Sequence, residues 1–225
     1  MNVLNVNGVI TNDDDADIYR DYIGMTVVSP KDIIDNLPSD GSDVVVDINS
    51  FGGEVDPAAQ IYTALKDYNG KVTTKISSSA YSAATIIAMA GDTVRISPAA
   101  QMMIHNASSS ADGDYHDMDK SSGMLEATNR TIAGVYAAKT GRTTDEFLQL
   151  MDKESWLTPQ DALDLGLVDE IIDYSKEAVF NAVPQIPIKL MNKVKTMYHK
   201  QQKKQEDSAK LSLTQQKLEI LKEDL

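Results

Sequence analysis

The chain has 225 residues, 42% of them apolar, and a formal net charge of −13. That length holds one domain of ordinary size plus an appendage, and the negative balance argues against nucleic acid as a partner. With no cysteine, disulfides, thiol catalysis and Cys-ligated zinc are excluded, and a cytoplasmic setting fits.

Residues 3–10 read as a first strand, and 12–17 as an acidic turn that starts a helix. Residues 1–8 lack the basic and apolar regions of a signal peptide. Ser29-Pro30-Lys31-Asp32 is a helix start, with serine as N-cap and proline at the first helical position. The helix is expected to run to about Leu37, where Pro38-Ser39-Asp40-Gly41 ends it. Residues 44–48 form a β-branched strand that runs into Asn49-Ser50-Phe51-Gly52-Gly53. Apolar residues at Ala59, Ile61, Tyr62, Leu65 and Tyr68 have helical spacing, and 72–76 is the next strand. Ser77, Ser78 and Ser79 are read as turn-like packing residues. A buried helix occupies 82–90; its run 83–90 is the chain's longest candidate for a membrane span and is too short to be one, so no membrane partner is expected. Short strands at 94–96 and 102–104 follow. A long helix spans 117–139 and stops at Thr140-Gly141. Further helices occupy 144–151 and the stretch from Thr158-Pro159 to Gly166, and 167–172 is a last strand. Such alternation predicts an α/β fold with a mainly parallel sheet.

The composition changes near residue 175, so the chain divides into a domain at 1–174 and a linker with a polar helical tail at 175–225. Leu211, Leu213, Leu218, Ile220, Leu221 and Leu225 are consistent with a short coiled coil. Residues 190–225 are expected to bind a partner or another subunit, or to carry a self-cleavage site. Within the domain, Ser82 lies where small residues give way to an apolar run, and His105 ends the apolar segment Met102-Met103-Ile104. The Gly52-Gly53 turn follows a strand. A serine, a histidine and a glycine turn, each at the end of a buried element, are the parts a serine hydrolase needs.

Four ordered blocks carry a resemblance: residues 48–55 around Asn49-Ser50-Phe51-Gly52-Gly53, then Ser79-Ala80-Tyr81-Ser82-Ala83-Ala84, then Met102-Met103-Ile104-His105-Asn106, then 155–169 around Trp156-Leu157-Thr158 and Gly166-Leu167-Val168-Asp169. On them, residues 1–174 resemble the ClpP-type serine peptidases of the crotonase-like fold, built of repeated β-β-α units with a protruding handle helix. Residues 27–34, the group Glu154-Ser155-Trp156 and the added tail are most similar to the phage head-maturation (prohead) proteases related to ClpP.

The resemblance implies that Ser82 is the nucleophile and His105 the general base. It implies that the amides of Gly53 and Ala83 form the oxyanion hole. Phe51 stands where the family usually has proline, and Ala84 where it usually has glycine. The Ser82–His105 separation is slightly shorter than in housekeeping members, and the shortening is assigned to a trimmed hairpin at 91–94. The family's aspartate falls on Leu150, which cannot orient an imidazole. Asp152 is taken as the third triad member, with Glu154, or a dyad held by water or a carbonyl, as alternatives. The helix at 117–139 corresponds to the handle, and 108–113 lies where family members bind a substrate strand by β-augmentation.

The implied activity is a serine endopeptidase that needs no cofactor and no metal. It would act on protein or peptide substrates, with capsid or scaffold proteins as candidates, in a ring-like homo-oligomer in the host cytoplasm. Three other readings are a Clp-like peptidase served by an ATPase unfoldase, a crotonase-fold acyl-CoA enzyme, and a catalytically dead assembly or scaffold protein on the same fold.

Overall fold

The computed structural model describes residues 2–175 together with 193, 195–198 and 200, which are helical and exposed. The chain divides into two units, Met1–Tyr174 and Ser175–Leu225. The expected coiled coil, with its leucines at 211–225, lies outside the described residues.

The first unit opens with β1 (Asn2–Ile10). Helix α1 (Asp13–Ile18) is capped by Asn12, whose side chain accepts from the Asp15 N–H, and a π-helical turn, Tyr19–Ile23, ends at Gly24 with φ 73°. Strand β2 (Val27–Val28) and helix α2 (Pro30–Ile34) follow. The Asp32 carboxylate accepts from the Ser29 N–H at 2.8 Å, as the sequence of the N-terminus predicts. This helix is shorter than expected, because residues 35–37 already form turns.

Next come β3 (Val44–Gly53), α3 (Val55–Lys66), β4 (Val72–Tyr81), α4 (Ala83–Ala88), β5 (Thr93–Ile96) and β6 (Gln101–Ile104). Both long strands outrun the expected ones. In particular, Ser77–Ser79 are strand, not turn: the Ser77 hydroxyl donates to the Ile48 carbonyl at 3.2 Å, and Ser79 pairs with Gln101. The small residues there let strands approach, a role that sequence pattern does not separate from a turn. Helix α5 (Tyr115–Thr140) is closed by Gly141 at φ 73°. Helix α6 (Thr144–Asp152), β7 (Ser155–Leu157), α7 (Pro159–Leu165) and a short β8 (Glu170–Ile171) complete the unit.

The sheet order is β2-β1-β3-β4-β5-β8, and β6 branches from β4 with β7 beside it. Every pairing is parallel except β6 with β7. Because β4 and β5 are parallel and α4 lies between them, Gly91–Asp92 joins a helix to a strand; the trimmed hairpin expected at 91–94 does not exist. Gly91 is required by packing, since a Cβ there would sit 2.4 Å from the Thr74 hydroxyl.

Strand β3 shows the period-2 alternation that builds the core. Val44, Val46, Ile48, Ser50 and Gly52 are buried, while the intervening side chains face the other way. Helix α4, buried along its whole length, packs on β3 and β4, and α3 packs against α4 and adds Ala58, Ile61 and Leu65 to the same core. Each Ile or Val enclosed in this layer contributes about 1.5–3 kcal/mol relative to exposure. The opposite face carries ion pairs, Lys75 with Asp47 at 3.2 Å and Arg95 with Glu170. Toward the C-terminal ends of its strands it carries an aromatic strip: Tyr81 lies 5.4 Å from Phe51 and 5.1 Å from Trp156, centroid to centroid. The buried residues of α5, Ile132, Ala133 and Tyr136, lie in its last third. The sequence reading of a handle-like helix corresponds to this element, anchored at one end.

Candidate active site

The site is assembled where β4 ends. Residue pairing sets Tyr81 beside Met103, and the Ser82 N–H donates to the Met103 carbonyl at 2.8 Å. Two residues beyond Met103, just past the end of β6, His105 reaches Ser82: its Nε2 is 2.7 Å from Oγ. With the proton on Nδ1, Nε2 is the acceptor, the arrangement a general base requires.

Ser82 has φ 52° and ψ −126°. A non-glycine residue in such a conformation costs on the order of 1–3 kcal/mol and persists only where its surroundings hold it. The strand-to-helix turn is thereby sharp enough to present the hydroxyl at the C-terminal end of β4, a central strand. The Ser82 carbonyl is fixed by the Thr85 N–H at 2.9 Å and by the Thr85 hydroxyl at 2.5 Å.

The glycine turn of β3 faces this elbow. A Cβ on Gly52, whose φ is 95°, would lie 2.7 Å from the Tyr81 carbonyl oxygen, 2.8 Å from the Ser82 Cβ and 3.1 Å from the Ala83 nitrogen. Only glycine allows that approach. Gly53, at φ 150°, is pressed against β1, where a Cβ would be 2.1 Å from the Ile10 carbonyl oxygen. Ala83 is the first residue of α4 and buried, so its N–H has no partner within the helix. The turn and the start of α4 thus flank the serine, which is the disposition an oxyanion hole needs.

The predicted carboxylates separate. Asp152, the last residue of α6, accepts from the Asn106 side-chain amide at 2.8 Å. Among the described residues it makes no hydrogen bond to His105, so the direct contact expected from the sequence is absent in this subunit. The Asn106 amide, next to His105 in sequence, takes up the carboxylate instead. The Asn106 Oδ1 is buried without a partner, which leaves an acceptor to be satisfied beside the histidine. Glu154 has φ 49° and accepts instead from the Trp156 indole N–H at 3.3 Å. Leu150 packs against the core, and its carbonyl accepts from the Ser155 hydroxyl at 2.7 Å.

Two residues escaped the sequence reading. The Tyr136 hydroxyl, from α5, lies 2.6 Å from the Thr85 hydroxyl. Burial raises the Tyr136 phenol far above its ordinary range, against a smaller lowering by the Thr85 bond. Thr85 stands three residues after Ser82, a spacing that could have flagged it; nothing local marks Tyr136.

A serine at a strained elbow, a histidine in contact with it and a glycine turn opposite form the constellation of a serine hydrolase on a parallel sheet. Residues 34–175 match the family model described as Clp protease, and the chain belongs to that family. Among curated relatives, it is 29% identical over 140 residues to the ATP-dependent Clp protease proteolytic subunit 1 of Chlamydia abortus, covering 60% of this chain and 73% of that one. The proteolytic subunit of Bacteroides fragilis is 26% identical over 154 residues, covering 68% and 74%. A solved ClpP1 variant from Listeria monocytogenes superposes with a TM-score of 0.63 at 20% identity, covering 76% of this chain and 91% of that one. That likeness establishes the α/β fold.

Proposed function

We propose that this chain is a serine endopeptidase that forms an acyl-enzyme on Ser82. The observation that carries the reading is the 2.7 Å contact between His105 Nε2 and Ser82 Oγ at a strained elbow. His105 takes the hydroxyl proton as Oγ attacks the scissile carbonyl, and later delivers it to the leaving amine. The N–H groups of Gly53 and Ala83 receive the developing oxyanion. Asp152 is the carboxylate that serves His105. It is tied to the strand end through Asn106, the residue after His105, at 2.8 Å. The chemistry calls on no cofactor.

The proposed setting is phage head maturation: a ring-like homo-oligomer in the host cytoplasm that cleaves capsid or scaffold proteins. The segment around Ser29-Pro30, the Glu154-Ser155-Trp156 group and the tail after residue 175 support it. A second reading, a peptidase fed by an ATPase unfoldase, is favoured by the relatives' description as subunits of ATP-dependent proteases. The test is to incubate the assembled protein with a folded scaffold or capsid precursor and with unfolded casein, without nucleotide. Cleavage of the precursor at discrete sites supports maturation. Turnover that requires an added unfoldase and ATP supports the second reading. No cleavage of either substrate under any condition contradicts the peptidase assignment.

A further inference from the structure

Between α5 and the nucleophile runs a buried chain of three polar groups. The Tyr136 hydroxyl is 2.6 Å from the Thr85 Oγ1, which is 2.5 Å from the Ser82 carbonyl oxygen. Thr85 is 0% exposed and Tyr136 1%, so water does not compete for these bonds. The direction of the chain is fixed by proton count. A carbonyl has no proton to give, so Thr85 must donate to it; each hydroxyl has one proton, so Tyr136 must donate to Thr85. Burial of the Tyr136 phenol favours its neutral form, the one that can donate.

The carbonyl at the end of this chain is not incidental. The Ser82 C=O and the Ala83 N–H belong to one planar peptide unit. The direction of one therefore dictates the direction of the other. Rotation about ψ of Ser82 would swing both together, and Ser82 already sits in a strained conformation, φ 52° and ψ −126°. Something must hold that plane. The backbone N–H of Thr85 supplies one bond at 2.9 Å, and its hydroxyl, backed by Tyr136, supplies the second.

We propose that Thr85 and Tyr136 are positioning residues that aim the Ala83 N–H at the oxyanion by clamping the carbonyl of the same peptide. The proposal rests on the serine-peptidase reading of Ser82 and Ala83. It also ties the anchored end of the long α5 helix to the geometry of the nucleophile. A displacement of α5 would be felt first at the oxyanion donor, not at the general base.

The test uses the full-length protein with Thr85→Val, Thr85→Ser, Tyr136→Phe and the Thr85→Val/Tyr136→Phe pair. Each is checked for folding by circular dichroism and for assembly by size-exclusion chromatography. A chromogenic peptide gives kcat and KM, and a peptide boronate that forms the tetrahedral adduct gives Ki. Losing an oxyanion donor outright costs 10²–10³ in kcat; mis-aiming one should cost about 10–100-fold. Thr85→Val should therefore lower kcat about 10–100-fold and weaken boronate binding in proportion, with KM within about twofold. Thr85→Ser should restore most of the loss. Tyr136→Phe should give a smaller defect, and the pair should be no worse than Thr85→Val, because the two act in one chain. The acid limb of the pH–rate profile, which reports the base, should not move.

A folded, assembled Thr85→Val with wild-type kcat and boronate affinity overturns the proposal. A Thr85→Ser as defective as Thr85→Val, or a defect confined to KM, also overturns it. A wild type that neither hydrolyses peptide nor binds boronate overturns the peptidase reading itself, and the clamp with it.

Discussion

Replacing Gly52 by alanine tests the architecture of the site with an internal control. The added Cβ would be 2.7 Å from the Tyr81 carbonyl and 2.8 Å from the Ser82 Cβ, at a φ of 95°. Backbone strain of this kind costs about 1–3 kcal/mol, and overpacking against backbone adds about 1–3 kcal/mol. The sum, about 2–6 kcal/mol, corresponds to a fall in Tm of roughly 5–20 °C for a domain of this size. The clash cannot be relieved by a flexible side chain, since two of its three nearest atoms are backbone. Relief must therefore move the elbow, and a displacement near 1 Å costs about 10²-fold in rate. Gly24→Ala is the control: its φ is 73° and a Cβ there meets nothing within 4 Å, so it carries the strain without the clash. Differential scanning calorimetry and the rate of fluorophosphonate labelling measure the two effects separately. Gly24→Ala should lose a little stability and label normally; Gly52→Ala should lose both. A Gly52→Ala protein that labels at the wild-type rate would refute the claim that this turn packs against the nucleophile.

Three further outcomes follow from the same geometry. Asp152→Ala should lower kcat by about 10–100-fold, less than the ~10⁴ lost when a carboxylate bonded directly to the imidazole is neutralised; Glu154→Ala should change kcat by less than about threefold, and the reverse ranking in a peptide assay would reassign the carboxylate. Asn106→Ala frees Asp152 to approach His105 and should leave more activity than Asp152→Ala; equal loss in the two would mean that Asn106 itself orients the histidine. In the capping box of α7, hydrogen bonds from the Thr158 hydroxyl and then its N–H hold the Asp161 carboxyl below its ordinary 3.8. A depressed folded value means that its contribution is complete above the unfolded pKa and lost as pH falls through the folded one. The Tm difference between wild type and Asp161→Asn should thus be largest near neutrality and shrink below about pH 3.8; a difference that stays constant into acid would contradict the assignment.

The legible parts of the fold were those with local causes. Ser29-Pro30 and Thr158-Pro159 announce helix starts, Gly141 and Gly166 announce stops, and alternating elements announce a parallel sheet. Strand lengths were less legible, because β4 continues through three serines that carry no β signature. Its continuation depends on neighbours β3 and β6, which are distant in sequence. The site divided in the same way. Ser82, His105 and the glycine turn sit at element ends with recognisable flanks. The carboxylate did not, since Asp152 meets Asn106 through side chains 46 residues apart, a pairing that no local pattern marks. Tyr136 was invisible because its link to Thr85 spans 51 residues and exists only once α5 has docked.

The proposed peptidase chemistry requires that Ser82 be a nucleophile activated by His105. Fluorophosphonate labelling of the assembled full-length protein, with the adduct located by mass spectrometry, tests it most directly. A single adduct is expected on Ser82, abolished in Ser82→Ala and lost with His105→Ala while both variants remain folded and assembled. Labelling of Ser82 that persists at the wild-type rate in His105→Ala, or an assembled wild type that takes up no label, would contradict it.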